Sequence, residues 1–280
     1  MTLQTPQDCY CMAGDVRTRY WVLGASGSPI VLIHGLGASA EIWLRNIDSL
    51  AERHRVYVPD LLGFGRTDKP PSLYSTDHFT RFINDFLNAM QIERCSLVGH
   101  SLGGGIALQY ILRFPEKVDK LVLVDSAGLG RDAPLFLRML SLPFIGDLLT
   151  SPSRLGVYFF FRQAVDRASD VTKDFIDHYY NLHSLPGAHA SFSKIIRNIM
   201  TIRGGRQELI EPVLTNLHRI THPTLVVWGK NDRILPVKHA SIANNGIPNS
   251  RLHIFDRCGH MPHFEYPSEF NELLMDFLAD

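Results

Sequence analysis

Ile30–Ile33, Leu121–Val124 and Leu225–Trp228 are unbroken runs of apolar residues, with no polar residue in alternation. A strand with one wet face alternates apolar and polar positions. A strand apolar at every position must be covered on both faces, as in a parallel sheet between layers of helices. Cys95–Val98 is a fourth run of nearly the same kind, and Arg17–Leu23, Val56–Val58 and Leu252–Phe255 add further short strands. Arg17–Leu23 and Ile30–Ile33 read as neighbours joined by a turn at Gly24–Pro29. Helical periodicity fills the gaps. Glu41–Glu52 places Ile42, Leu44, Ile47 and Leu50 on one face, and Asp77–Met90 does the same with Phe79, Phe82, Ile83, Phe86, Leu87 and Met90. Leu102–Phe114 and Ser268–Leu278 complete the helices of an α/β chain.

The alternation stops between Gly128 and Pro223. That stretch holds no comparable strand, but helical segments recur at Leu135–Leu140, Leu155–Gln163, Val171–Leu182 and Phe192–Thr201. A structureless loop of this length is foreign to a compact domain, so residues 129–223 are expected to form a helical lid. Residues 1–128 and 224–280 then make the core domain. Most of the lid's many aromatics are expected to pack the lid itself, and the rest to line a lipophilic pocket.

Charge narrows the function. The 28 Lys and Arg balance the 28 Asp and Glu, and charged residues are 20% of the chain. Such a surface does not suit nucleic acid, whose binding rests on a basic face. No run approaches a membrane span, and Met1–Gly14 has neither the basic start nor the apolar stretch of a secretory signal, so a cytoplasmic protein is expected. No metal site is expected either. Cys9 and Cys11 lack a second ligand pair, and His218 and His222 lack an intervening acid and run into Pro223. The sequence leaves the oligomeric state open.

The chemistry concentrates in five residues. Gly99-His100-Ser101-Leu102-Gly103 fits G-x-S-x-G between an apolar strand and a helix, the setting that a nucleophile elbow requires. The sharp turn strains Ser101 and lifts its hydroxyl above the sheet edge, while Gly99 and Gly103 clear the chain that passes close by. A serine needs a base, and the chain order should be Ser, acid, His. His260 lies beyond the last strand beside Gly259, and is preferred to His263 in the same loop and to His253 within a strand. Asp232 follows Leu225–Trp228 directly and would orient His260; Asp125, at the end of Leu121–Val124, is its rival. Asp60 and Asp256 read as turn or capping residues. His34-Gly35-Leu36-Gly37 follows Ile30–Ile33, so the Leu36 and Leu102 amides are the expected oxyanion donors, with His34 holding its loop.

With these residues in place, the chain resembles the α/β-hydrolase superfamily from about residue 15 to its C-terminus. Asp60-Leu61-Leu62-Gly63-Phe64-Gly65-Arg66-Thr67 is similar to that family's D-x-x-G-x-G-x-S loop, with Thr67 in place of Ser. The resemblance implies a mostly parallel eight-stranded sheet with a helical cap inserted after the sixth strand. It also implies hydrolysis through an acyl-enzyme, with no cofactor. Ser101 departs from the Asp nucleophile of haloalkane dehalogenases and epoxide hydrolases. Ring-fission C–C hydrolases commonly have Asn before the nucleophile and Trp after the catalytic His, where this chain has His100 and Met261. The expected activity is therefore a serine esterase for small esters with apolar groups. C–C hydrolysis of ring-fission products is the alternative, and a non-catalytic ligand-binding protein on the same fold is a third.

Overall fold

The apolar runs lie at the centre of an eight-stranded sheet in a computed structural model that describes residues 5–71 and 74–279. Residues 1–4, which begin the Met1–Gly14 stretch, lie outside the described residues. In chain order the first strands are β1 (Cys9–Ala13), β2 (Val16–Leu23), β3 (Pro29–Ile33), β4 (Arg55–Pro59), β5 (Cys95–His100) and β6 (Val118–Val124). A two-residue hairpin follows, β7 (Met200–Thr201) with β8 (Gly204–Gly205), and then β9 (Thr224–Gly229) and β10 (Ser250–Phe255). The sheet order is β1-β2-β4-β3-β5-β6-β9-β10. β2 runs antiparallel to both its neighbours, and every other pairing within this eight-stranded sheet is parallel.

Ile30–Ile33 and Leu121–Val124 are fully buried, as a sheet covered on both faces demands. Each such side chain contributes about 1.5–3 kcal/mol over its exposed state. The coverings are helical. α1 (Ile47–Ala51) packs on β4, α2 (Thr76–Ala89) on β1, and α3 (Leu102–Arg113) on β5, β6 and α2. Ser75 caps α2 by accepting the His78 amide, and the Phe79, Phe82, Ile83, Phe86 and Leu87 face is buried.

Between β6 and β9 the chain forms α4 (Leu135–Leu140), α5 (Ile145–Leu149), α6 (Arg154–Ala164), α7 (Lys173–His183), α8 (Ala188–Ile199) and α9 (Gln207–Asn216). The first of these helices turn large apolar residues outward: Leu135, Phe144, Leu148 and Leu155 are all exposed. α9 packs instead against α3. The chain ends with α10 (Lys238–Gly246) on β9 and β10, then α11 (Pro262–Glu265) and α12 (Pro267–Ala279), the latter against α1. Among the described residues no helix is long and apolar enough to cross a membrane.

Three local expectations need correction. β2 and β3 are not neighbours, because β4 lies between them. Gly24 and Gly27, both at positive φ, let their segment press on the His54 and Arg53 carbonyls, where a Cβ would sit 2.0 Å from either oxygen. The connection therefore crosses over the approach to β4 rather than closing a hairpin. The Glu41–Glu52 helix is split into a short turn at Ala40–Trp43 and α1, and between them the Asn46 side-chain Nδ2 donates to the His263 carbonyl and to Asn271 Oδ1. β10 is an edge strand with His253 and Ile254 exposed, so it lacks the double cover of the central strands.

β3 connects toward β4 while β5 continues the other way, so their carboxyl ends diverge at a switch point, where open α/β sheets place their ligands. The segments after β3, β5, β6, β9 and β10 carry His34, Ser101, Asp125, Asp232 and His260.

Candidate active site

Ser101 joins β5 to α3 with φ +53° and ψ −116°, a region an L-residue enters only at a cost of about 1–3 kcal/mol. Two hydrogen bonds hold it there: its amide donates to the Val124 carbonyl and its carbonyl accepts from Ala127, both at 2.9 Å. The turn is tight enough that a Cβ on Gly99 would lie 2.5 Å from the Gly103 oxygen, and one on Gly103 would lie 2.4 Å from the Ile33 oxygen. The two glycines are steric requirements of the elbow.

The His260 Nδ1–H donates to Asp232 Oδ2 at 2.7 Å, and both side chains are buried. Asp232 Oδ1 accepts the Ile234 and Leu235 amides at 2.7 and 3.0 Å, so the carboxylate is fixed by its own loop as well. The His260 backbone is tied at both ends. Its amide donates to the Ala164 carbonyl at the end of α6, and its carbonyl accepts from His100 Nε2 at 2.8 Å. Glu265, buried and raised above the ordinary carboxyl range by that burial, accepts the Gly259 amide and, through its other oxygen, the Asp166 amide. Sequence reasoning missed His100 and Glu265 as supports. The only available signal was their closeness along the chain to Ser101 and His260.

His34 bridges two loops. Its Nδ1–H donates to the Gly35 carbonyl at 2.8 Å, and its Nε2 accepts the Leu61 amide at 2.9 Å. Burial lowers its pKa, in keeping with a neutral ring that both donates and accepts. Gly35 lies against His100 and Ser101, and the Gly37 carbonyl accepts from His183 of α7. Asp60 is a fully buried turn and capping residue, taking the Arg66 amide of its own loop, the Ala40 amide at the start of the Ala40–Trp43 turn and an ion pair from Arg19. Arg19 is fully buried and also pairs with Asp8 and Glu41. Burial opposes its charge, but Asp60, Glu41 and Asp8 together raise its pKa. Thr67 donates to the Asp60 carbonyl and accepts the Arg19 amide, roles that need only a hydroxyl.

The rival residues lie elsewhere or act otherwise. His263 is fully buried, its ring 4.2 Å from Trp43 and 4.6 Å from His100, and burial pushes its pKa down to about 3. His253 is exposed against Phe255. Asp256 pairs with Lys230 at the surface, and the His222 ring meets the Pro115 carbonyl. Asp125 is buried close to Asp232 and His260, with ligand-type atoms of all three within 4.8 Å of one another. Asp232 and His260 satisfy each other, so the cluster is a hydrogen-bonded set.

Ser101 and His260 face one cavity of about 80 Å3. Leu36, Leu102, Ile234 and Met261 line it from the sheet side, and Leu137, Phe160, Phe161 and Ile196 line it from the insertion. Its polar lining residues are Ser101, His100 and His260; no Lys, Arg, Asp or Glu reaches it among the described residues. A strained serine and a carboxylate-oriented imidazole that line one largely apolar cavity are suited to attack on a carbonyl carbon.

Comparison with known proteins gives four further findings. The model of the alpha/beta hydrolase fold family matches residues 28–267. An uncharacterized protein of Mycobacterium tuberculosis is 35% identical over 269 residues, covering 93% of this chain and 78% of that protein. The 2-hydroxymuconate semialdehyde hydrolase of a Pseudomonas strain is 31% identical, covering 96% and 93%. A solved membrane phospholipase A superposes with a TM-score of 0.84 at 27% identity, covering 98% of this chain and 86% of its own.

Proposed function

The chain belongs to the α/β-hydrolase family, and from that premise we propose that it is a serine hydrolase of neutral carboxylic esters with an apolar acyl or alcohol part. Ser101 attacks the ester carbonyl while His260 Nε2 takes its proton, and Asp232 holds the Nδ1–H tautomer and stabilises the imidazolium. The Leu36 and Leu102 amides receive the negative charge that gathers on the carbonyl oxygen. His260 then returns the proton to the departing alcohol, leaving an acyl-Ser101. Water, deprotonated by the same imidazole, releases the acid. Residues 129–223 act as the cap that shapes the acyl pocket through Leu137, Phe160, Phe161 and Ile196.

The observation that carries the neutral-ester reading is the uncharged cavity wall. An anionic substrate would have to leave its hydration shell there without meeting a cation, which costs several kcal/mol. Carbon–carbon hydrolysis of a ring-fission product is the second reading, favoured by relatives such as the 2-hydroxymuconate semialdehyde hydrolase. A ring-fission dienoate carries a carboxylate, and no Lys or Arg of the described residues lines this wall to pair with it.

A two-substrate assay decides between them. The expected result is rapid hydrolysis of p-nitrophenyl butyrate with no bleaching of a coloured ring-fission dienoate; the opposite pattern overturns the ester reading. Ser101→Ala should abolish both turnover and fluorophosphonate labelling while circular dichroism stays unchanged. Persistent turnover in that variant rejects Ser101 as nucleophile.

A further inference from the structure

The Ser101–His260–Asp232 set leaves one buried carboxyl unused. Asp125 follows β6 at φ +44° and is fully buried. Its Oδ1 accepts the Gly229 amide at 2.9 Å, while its Oδ2 is buried with no donor at all. A carboxyl oxygen of Asp125 lies within 4.8 Å of ligand-type atoms of both Asp232 and His260. Two carboxylates so placed in a dry interior cannot both ionise. The allocation follows from the donors each one has. Asp232 receives three, from His260, Ile234 and Leu235, whereas Asp125 receives one.

We propose that Asp125 carries a proton and donates it as a fourth hydrogen bond to the Asp232 carboxylate, making Asp125 a positioning residue for the Asp232–His260 pair. A protonated Oδ2 turns the unpartnered oxygen into a donor close to a carboxylate, which satisfies that buried atom. The site then holds a single negative charge against the imidazolium, and that charge is fixed from four directions. Burial and then the neighbouring Asp232 raise Asp125 well above the ordinary carboxyl range, in the same sense. The other titratable groups facing it are His260, Glu265 and Cys258. Glu265 adds to the effect, and Cys258 remains a thiol because burial raises its pKa far beyond neutrality.

The inference rests on the Asp232–His260 assignment but not on the identity of the substrate, so its test reads the resting protein first. Asp125→Asn keeps both an acceptor for Gly229 and a donor for Asp232 without any charge. The expected result is a His260 titration, followed by NMR, whose midpoint moves by less than about 0.3 units between wild type and Asp125→Asn, with kcat within about threefold. A midpoint lowered by about one unit or more means that Asp125 is ionised in the wild type, and overturns the proposal. Asp125→Ala removes the donor. It should lower kcat at least tenfold with KM little changed, and should shift the low-field resonance of the His260 Nδ1 proton. If Asp125→Ala folds and matches Asp125→Asn in both readouts, the positioning role is overturned. If it does not fold, Asp125→Asn decides, and loss of activity in that variant with its fold retained also overturns the proposal. Failure of the nucleophile assignment would appear separately, as turnover in Ser101→Ala.

Discussion

The loops that carry Ser101, Asp232 and His260 and the helices that roof them keep their shapes by different means. Around these three side chains almost every tie is a buried hydrogen bond of defined direction: Ser101 to Val124 and Ala127, Asp232 to two amides and an imidazole, His260 to Ala164 and His100. The roof relies on ring contacts, with Phe161 against Phe160, Phe175 and Tyr179, and its outer face leaves Phe144 87% and Leu155 77% exposed. Directional bonds hold atoms to a few tenths of an ångström, as proton transfer requires. Apolar contacts fix volume more than direction, and a wall made of them can change shape without disturbing the chemistry below it. A few hydrogen bonds join the two regions, among them the His260 amide to the last residue of α6, the Asp166 amide to Glu265 and the His183 ring to the Gly37 carbonyl.

The contrast can be broken most severely from the polar side. Asp232→Asn should lower kcat by about 10^4-fold, because an amide no longer enforces the Nδ1–H tautomer of His260. Its oxygen can still accept the Ile234 and Leu235 amides, so thermal stability should change little. Parallel kinetics and melting curves check both halves, and a mild kinetic effect would mean that the carboxylate is not needed. From the apolar side the effect should be smaller and selective. Phe160→Ala enlarges the cavity, and should raise the kcat/KM ratio of octanoate to acetate esters about tenfold while kcat for acetate barely moves. An equal loss on all chain lengths would show that the roof also positions the catalytic groups.

The smallest effect sharpens the comparison at His263, which is buried beside the catalytic loop although both its ring nitrogens lack partners. Its pKa of about 3 in the fold means that the unfolded chain protonates it below about 6.5 while the folded chain does not. Stability therefore falls as pH drops from about 6.5 toward 3. His263→Leu should be near neutral at pH 7.5 and stabilising by about 2 kcal/mol at pH 5, which is the 1.5 units by which pH 5 lies below the unfolded value. His34 and His100, also lowered by burial, remain in the variant, so part of the acid slope should persist. Identical pH profiles of melting temperature for wild type and variant would rule this account out.

The strand runs, the elbow and the order of Ser101, Asp232 and His260 could be read from the chain because their causes are local. Double burial shows as consecutive apolar residues, and a sharp turn shows as glycines at fixed offsets around a serine. The Ser75 cap of α2 is equally local. What could not be read depends on residues far apart that meet only after folding. β4 separates β2 from β3 although nothing between Gly24 and Pro29 announces it. Arg19 is buried among Asp8, Glu41 and Asp60, where two arginines in one strand, Arg17 and Arg19, suggest an exposed edge. His100 supports His260 across 160 positions. Asp125 and Asp232 stood in the sequence as rivals for a single role, and only their juxtaposition at the ends of β6 and β9 makes them partners. Periodicity and turn chemistry act over a few residues and survive in a linear string. The dielectric surroundings of a charge, and the number of donors that reach it, exist only once the strands lie side by side.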